Sequence, residues 1–145
     1  MSEFTARKLS ILLVDDDPAL VRMLRTVLTL ELNDEVELYA STDPREALEW
    51  LDDHHCDILL SDIEMPELDG LEMLRAAKRR NAWTQVVFIT GHSSLDRITS
   101  AIELGADDYL LKPVDRPTLI EVVTQLCRRS ARWQSAVLGT LSLTH

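Results

Sequence analysis

The chain has 145 residues, of which 46% are hydrophobic and 28% are charged, and its formal net charge is −10. That length suits a single domain with its own core, and the composition excludes disordered and fibrous chains. Apolar runs stay well short of the roughly 18–20 residues that cross a bilayer, and two isolated cysteines predict reduced thiols in a cytoplasmic protein without membrane contact. Residues 1–111 carry 10 Lys and Arg against 23 Asp and Glu, an acidic balance that opposes direct binding of nucleic acid.

Short apolar runs alternate along the chain with longer segments of helical periodicity. The runs predict strands near 11–14, 36–40, 58–60, 86–89 and 109–111. Helices are predicted between the strands and after the last one, with the third near 70–80, the fourth stopped at Gly105 and the fifth starting at about Pro117. Five strands that alternate with five helices predict one doubly wound α/β domain, in which a parallel sheet is covered on both faces.

Three of the predicted helices begin with capping signals. Asp17 and Asp43 each precede a proline, which combines a capping carboxylate with a residue suited to the first helical turn. Ser93 and Asp96 have the spacing of a capping box. The sequence therefore predicts that Asp17, Asp43 and Ser93 cap the first, second and fourth helices.

Polar side chains follow four of the five predicted strands. In chain order, these strands run out into Asp15-Asp16-Asp17, Asp62, Thr90 and Lys112. Ligands of an open parallel sheet bind beyond the carboxyl ends of its strands. We therefore expect three or more carboxylates, a hydroxyl and an ammonium to meet at one edge of the sheet.

This set of side chains predicts a particular chemistry. Clustered carboxylates repel one another and stay ionised at neutral pH only when a cation accompanies them. Mg²⁺ takes oxygen ligands, a carboxylate can carry a phosphoryl group, and a metal ion with a lysine neutralises the charge of phosphoryl transfer. Taken singly, Thr90 fits a strand-end hydroxyl and Lys112 a surface lysine, whereas the complete set favours phosphoryl chemistry.

Four sequence runs resemble the receiver domain of response regulators: 11–18 (ILLVDDDP), 61–70 (SDIEMPELDG), 88–91 (FITG) and 105–113 (GADDYLLKP). The resemblance implies a flavodoxin-like sheet of strand order 2-1-3-4-5. It further implies a receiver domain at residues 8–130, followed at 131–145 by an extension of the last helix or a linker. Such a domain takes a phosphoryl group from a sensor histidine kinase or a histidine phosphotransfer protein, and catalyses only its own phosphorylation and dephosphorylation.

The resemblance also assigns roles to individual residues. Asp62 is implied as the phosphoacceptor, with Thr90 and Lys112 acting on the same phosphoryl group. Thr90 and Tyr109 are implied as the switch, and the fourth helix, fifth strand and fifth helix as the output face. The implied metal ion is Mg²⁺ or Mn²⁺. Its implied ligands are Asp16, Asp62, the main-chain carbonyl of Glu64, and Asp15 through a bound water molecule.

Three further positions follow from the same resemblance. The peptide bond between Lys112 and Pro113 is expected to be cis. Gly91 stands where receivers commonly have alanine, which predicts a looser loop. Glu64 and His92 stand at positions that tune the hydrolysis of the aspartyl phosphate, so we expect substitutions there to alter its lifetime without abolishing phosphorylation.

The chain continues beyond the expected end of the receiver. Apolar residues there recur every seven positions, with Leu119, Leu126 and Trp133 on one line and Val123 and Val137 on its neighbour. This period suits an extension of the last helix. In one interpretation the helix frays after Ser130; in the other, Trp133, Val137 and Leu141 form a dimer seam or lead into an output domain. A homodimer through this helix or through the output face is thus a prediction.

Two other interpretations of the acidic motif stay open at this point. One is a phosphatase of the haloacid-dehalogenase type, whose DxD motif Asp15 and Asp17 would supply. In that interpretation Ala19 stands where threonine or valine is expected. The other is an interaction module that has lost phosphorylation, although every acceptor-site residue is present.

Overall fold

The structure, a computed structural model, describes residues 8–91 and 94–143. Strands and helices alternate along these residues, as the sequence predicts. Their bounds are β1 Leu9–Val14, α1 Pro18–Leu32, β2 Val36–Ser41, α2 Pro44–Asp53, β3 Ile58–Ser61, α3 Gly70–Arg80, β4 Gln85–Thr90, α4 Leu95–Glu103, β5 Asp108–Leu111 and α5 Arg116–Leu143. A short 3₁₀ turn, Asn33–Glu35, connects α1 to β2.

The five strands form one parallel sheet of order β2-β1-β3-β4-β5, which confirms the predicted fold. Val14, at the end of β1, lies opposite Ser41 of β2 and Ser61 of β3. Thr90, at the end of β4, lies opposite Leu111 of β5. The residues that follow these strand ends therefore emerge together. We call this side of the sheet the carboxyl edge and the opposite side the amino edge.

Successive residues of the central strands face opposite helical layers, because side chains alternate along a strand. Ile11 and Leu13 pack with α1 and α5, whereas Leu12 and Val14 pack with α2, α3 and α4. Every residue of β3 and β4 is buried, as expected for strands that are covered on both faces. The residues at the carboxyl edge are thus carried by strands that are buried on both faces.

The predicted caps of the first two helices are confirmed. The Oδ1 atom of Asp17 accepts a hydrogen bond from the N–H of Ala19 at 3.0 Å. The Oδ1 atom of Asp43 accepts one from the N–H of Arg45, also at 3.0 Å. Asp17 is therefore the N-cap of α1, a role that the two preceding aspartates do not share.

The predicted cap of α4 is wrong by one residue. Ser94 caps this helix, and its Oγ atom accepts a hydrogen bond from the N–H of Arg97 at 3.3 Å. Two adjacent serines carry the same local signal, so the sequence alone does not distinguish them. Ser93 itself lies outside the described residues.

The last helix is longer than the domain that it covers. Its buried residues end at Ser130, whereas the helix continues to Leu143, and the interpretation in which it frays after Ser130 stays a prediction. The expected domain boundary at residue 130 falls within α5 and remains a prediction. Among the described residues, no helix has both the length and the apolar character that crossing a membrane requires.

Both cysteines are free thiols. Burial raises the pKa of Cys56 to about 12 and that of Cys127 to about 11. Since the thiolate is the reactive form, both side chains are packing residues at neutral pH.

Candidate functional site

The polar residues that follow four strands converge at the carboxyl edge. Because Val14 and Ser61 lie side by side in β1 and β3, the next residues, Asp15 and Asp62, emerge as neighbours. The N–H of Asp62 donates to the carbonyl of Val14 at 3.2 Å, which fixes the two strand ends together. The sequence prediction that these carboxylates meet is confirmed.

Three carboxylates form the centre of this site. One oxygen each of Asp15, Asp16 and Asp62 lies within 4.8 Å of the others. Asp15 and Asp62 are buried, whereas Asp16 is exposed. Main-chain donors hold the two buried side chains in place: the N–H of Asp17 lies 2.9 Å from Oδ1 of Asp15, and the N–H of Glu64 lies 3.2 Å from Oδ1 of Asp62.

Lys112 brings a positive charge to the same place. Its Nζ atom lies 2.9 Å from Oδ2 of Asp15 and 2.9 Å from Oδ2 of Asp62. The main-chain N–H of Lys112 donates to the carbonyl of Thr90 at 2.9 Å, so the end of β4 positions the lysine. The bond to Pro113 is cis, as expected.

The charges at this site alter the pKa values of their neighbours. Burial raises the pKa of Asp15, and the opposing hydrogen bond from Lys112 does not cancel that effect. Burial acts to lower the pKa of Lys112, but its hydrogen bonds to Asp62 and Asp15 outweigh burial and raise the pKa. The lysine therefore stays protonated, whereas burial makes the charged form of Asp15 less favourable in free energy.

The residues present fit a divalent cation. Three carboxylates and one ammonium sum to a formal charge of −2. The buried Oδ2 atom of Asp15 has Lys112 as its ion-pair partner, yet within the described residues it accepts no hydrogen bond of good geometry. Mg²⁺ binds through carboxylate oxygens with several waters retained, which suits a cluster with one exposed and two buried carboxylates. The ligand role predicted for the carbonyl of Glu64 stays a prediction.

The two predicted switch residues lie on adjacent strands. Thr90 is buried at the end of β4, and Tyr109 is half-buried on β5, opposite Phe88 of β4. Tyr109 lines an apolar cavity together with Ile98 and Ala101 of α4. This arrangement puts an aromatic side chain between β5 and α4, where its position depends on both, but the switch itself stays a prediction.

Two glycines bear differently on the site. A Cβ atom at Gly91 would lie 3.5 Å from the Cβ and Cδ atoms of Lys112, which is ordinary van der Waals contact, so alanine fits there. A Cβ atom at Gly70 would overlap the carbonyl oxygen of Asp62 and come within 2.7 Å of the Cα atom of Ile63. The N–H of Gly70 donates to the carbonyl of Ile63 at 2.7 Å, so α3 begins directly against the backbone of Asp62 and Ile63.

Sequence analysis missed two residues of this region and named one that cannot be tested. The sequence marks Gly70 only as the last residue of the run 61–70, where it follows Asp69. Arg97 carries no motif signal at all, although it contacts the segment that follows Asp62. His92 lies outside the described residues, so its expected effect on phosphoryl lifetime stays a prediction.

Fold and site together define a class: a doubly wound α/β protein that gathers carboxylates, a hydroxyl and a lysine at the carboxyl edge of its sheet. The chain belongs to the response regulator receiver domain family of two-component signalling, whose family model matches residues 11–124. Membership in this family confirms the resemblance seen in the sequence. It rules out the phosphatase interpretation of the acidic motif.

The chain is similar in sequence to parts of known transcriptional regulatory proteins. The chain is 38% identical to the transcriptional regulatory protein TrcR of Mycobacterium tuberculosis over 122 residues, which are 83% of this chain and 46% of TrcR. It is 39% identical to the transcriptional regulatory protein CpxR of Escherichia coli over 121 residues, 83% of this chain and 50% of CpxR. The chain therefore spans about half the length of these curated relatives.

Solved structures agree with the fold. A CheY-like response regulator receiver domain protein from Methanospirillum hungatei superposes with a TM-score of 0.80 and 26% identity, covering 87% of this chain and 98% of that one. The N-terminal domain of an uncharacterized protein from Wolinella succinogenes gives a TM-score of 0.77 and 31% identity, with 86% and 98% coverage. Each superposition covers almost all of the solved chain, so the shared unit is the whole of that domain.

Proposed function

We propose that this domain accepts a phosphoryl group on Asp62 from the phosphohistidine of a sensor kinase or a histidine phosphotransfer protein, in a step that requires Mg²⁺ or Mn²⁺. The observation that supports it is the contact of one ammonium, that of Lys112, with both buried carboxylates of a cluster of three. The cluster carries more negative charge than its lysine balances. A divalent cation would neutralise that excess, and together with the lysine it would attract the negatively charged phosphoryl group.

In the proposed step a carboxylate oxygen of Asp62 attacks phosphorus. An O–P bond forms, the P–N bond to the donor histidine breaks, and its electron pair returns to the imidazole nitrogen, which leaves an acyl phosphate on Asp62. A cation held by Asp15, Asp16, Asp62 and the carbonyl of Glu64 would neutralise charge on the phosphoryl oxygens. Phosphoryl transfer needs little more than positioning and charge neutralisation. The buried strand ends would supply the positioning, and Lys112 with the cation would supply the positive charge.

Lys112 has a defined part in this proposal. Its ammonium pairs with Asp62 before transfer, at 2.9 Å, and would pair with a phosphoryl oxygen afterwards. Because Asp15 is also 2.9 Å away, the lysine need not leave the site to change partners. Thr90, at the end of the neighbouring strand, would donate its hydroxyl to another phosphoryl oxygen.

The output of the domain would be a population shift between two packings, biased by the phosphoryl group through Thr90 and Tyr109. The surface that changes would be α4, β5 and α5. The domain would work in the cytoplasm, without direct contact to nucleic acid or membrane, and would turn over no substrate other than its own acyl phosphate. A homodimer through α5 or through the α4–β5–α5 surface stays a prediction.

Mass spectrometry tests the central proposal. The protein is incubated with Mg²⁺ and acetyl phosphate, a small phosphoryl donor, and Asp62→Asn is treated in parallel. We expect one phosphate adduct on the wild-type chain, none on the variant, and none when EDTA removes the metal ion.

The other outcomes are equally informative. An adduct on both proteins would place the acceptor elsewhere. No adduct on the wild-type chain when Mg²⁺ is bound would favour an interaction module that works without phosphorylation.

A further inference from the structure

One guanidinium ties α4 to the segment that follows the acceptor. The Nη2 atom of Arg97, in the first turn of α4, lies 2.6 Å from Oδ1 of Asp69 and 3.4 Å from the carbonyl oxygen of Ile63. Its Nε atom lies 3.7 Å from Oε1 of Glu64. Arg97 thus contacts both ends of residues 63–69, which we call the acceptor loop.

The contacted points matter for the geometry of the site. Ile63 is the residue next to Asp62, and its carbonyl also accepts the N–H of Gly70 at 2.7 Å. Asp69 caps α3, and the oxygen that binds Arg97 also accepts the N–H of Leu71 at 2.9 Å. Moving Arg97 would therefore disturb the backbone on both sides of the acceptor loop.

The helix that carries Arg97 is weakly held by other contacts. Ala101 is the only buried residue of α4, whereas α3 buries five residues. Ile102 and Leu95 on the same helix are 68% and 79% exposed. With so little apolar area in contact, a charge-assisted hydrogen bond is a large share of what positions α4.

A second arginine provides an internal comparison. Arg45 of α2 approaches the same loop, with its Nε atom 3.8 Å from Oε2 of Glu67, but these side chains are 71% and 59% exposed. Exposed pairs of this kind contribute little to stability. Arg97 and Asp69 are 31% and 32% exposed and are joined by a hydrogen bond of 2.6 Å. The pair that Arg45 makes with the loop is therefore weak, whereas the pair between Arg97 and Asp69 is strong.

We propose that Arg97 is a positioning residue through which α4 and the acceptor loop hold each other, so that it sets both the rate at which Asp62 is phosphorylated and the order of α4. The part of this inference that concerns the phosphorylation rate rests on the proposed function of Asp62, and the part that concerns the order of α4 does not. By thermodynamic reciprocity, a change at Asp62 that alters the loop must alter α4 by the same coupling. The groove that Arg97 lines together with Asp16 and Glu64 opens beside the acceptor site, so the coupling acts where a donor would approach.

The test uses three variants and two measurements. Arg97→Ala removes the contact, Arg97→Lys restores the charge without the planar fork that bridges several acceptors, and Arg45→Ala is the matched control on the same loop. The first measurement is the rate of Asp62 phosphorylation by acetyl phosphate with Mg²⁺, well below the thermal midpoint. The second is amide hydrogen exchange of residues 95–103, with and without the donor.

For Arg97→Ala we expect a rate lower by about threefold to tenfold, which lies within the roughly twofold to thirtyfold range of mutations that alter coupling between sites. We expect faster exchange in α4 without the donor and a smaller change when the donor is added. Arg97→Lys should lie between Ala and wild type, and Arg45→Ala should match wild type in both measurements.

Three results would overturn the proposal. A rate equal to wild type in Arg97→Ala, with only the thermal midpoint lowered, would leave Arg97 a purely structural residue. An equal loss in Arg45→Ala would point to the charge of the loop and not to the contact. Unchanged exchange in α4 would remove the coupling even if wild type accepts no phosphoryl group, and failure of the proposed function would appear separately, as no adduct on wild type.

Discussion

The two edges of the sheet each gather a cluster of polar side chains, but the clusters differ in how they are satisfied. At the carboxyl edge lie Asp15, Asp16, Asp62, Thr90 and Lys112, the acceptor cluster. At the amino edge lie Gln85, Asp107, Arg129 and Ser130, the amino-edge network. β4 belongs to both, since it begins at Gln85 and ends at Thr90.

In the amino-edge network the buried groups have partners. Gln85 is buried, and its Nε2 atom donates to the carbonyl of Leu126 and to Oγ of Ser130, each at 2.8 Å. Its Oε1 atom accepts from Nη1 of Arg129 at 3.2 Å. Together these bonds fasten α5 to the beginning of β4.

Asp107 completes this network, and its carboxylate is paired with cations. Its Oδ2 atom accepts from the N–H of Val86 at 2.7 Å and from Lys78 at 3.3 Å, and Arg129 lies 3.9 Å from its other oxygen. One carboxylate thus has two cations, whereas the acceptor cluster has three carboxylates and one cation. A carboxylate that is paired with cations stabilises a fold, whereas a cluster whose carboxylates outnumber its cations favours the binding of a further cation. β4 therefore joins a site whose contacts are structural, at its start, to the site of the proposed function, at its end.

Lys112→Met tests the acceptor cluster and should have the largest effect. We expect the rate of Asp62 phosphorylation to fall about 100-fold or more, the usual result of losing one preorganised charge-stabilising donor. Lys78→Met is the matched control, because its side chain is equally exposed, at 25%, and pairs with an aspartate at the other edge. The rate with acetyl phosphate and Mg²⁺ should be unchanged in the control. Similar losses in both variants would end the distinction between the two edges.

Gln85→Met tests the amino-edge network. We expect the free energy of unfolding to fall by about 1–3 kcal/mol, because Ser130 and Arg129 lose a buried partner. The phosphorylation rate should not change. Denaturant unfolding measures the first quantity, and Gln125→Met, on the exposed side of α5, is the control. A large loss of phosphorylation in Gln85→Met would mean that β4 transmits changes from one edge to the other.

The sequence could predict the acceptor cluster because its members follow strand ends, and parallel strands end at one edge. Asp15, Asp62, Thr90 and Lys112 are far apart along the chain, but the topology rule brings them together. The capping of α1 and α2 was equally accessible, since a cap contacts only its own helix.

The amino-edge network could not be predicted in the same way. Gln85 and Ser130 are separated by 45 residues, and nothing in either segment marks them as partners. The contact of Arg97 with Asp69, across 28 residues, depends on the angle at which α4 crosses the acceptor loop. Side-chain contacts between helices follow from packing, and no local periodicity encodes them.

Asp15→Asn tests whether the imbalance of the acceptor cluster costs stability. Burial raises the pKa of Asp15, so the ionised carboxylate is disfavoured in the fold. At pH 7 without metal, we expect the variant to be more stable than wild type by about 1 kcal/mol, as when a functional site is relieved of strain. Added Mg²⁺ should stabilise wild type more than the variant.

Asp57→Asn is the control for this prediction. Asp57 is also buried, but its oxygens accept from the N–H of Ser10 and contact His55, both at 2.9 Å. Removing that charge should lower stability, and Mg²⁺ should make no difference. Thermal midpoints with and without Mg²⁺ measure both effects, and a less stable Asp15→Asn protein would contradict the prediction.

The smallest effect is expected at the aromatic pair beside the amino-edge network. The rings of Trp83 and Trp133 are parallel to within 2°, with centroids 6.5 Å apart, and join the turn before β4 to the extended part of α5. Both side chains are more than half exposed, so Trp133→Ala should cost only about 0.5–1 kcal/mol. Trp83→Ala should cost the same, and the double variant little more than either, because the two changes remove one contact.

The same variants decide whether Trp133 also serves a dimer seam. A contact within one chain predicts that both single variants leave the mass from light scattering unchanged at every concentration. A seam between two copies predicts a concentration-dependent mass that is lost in Trp133→Ala and on truncation after Ser130, but kept in Trp83→Ala. In that second case the amino edge would be more than a structural support. The amino edge would then also be a functional site, marked by exposed apolar surface on α5, whereas the acceptor cluster is marked by its excess of negative charge.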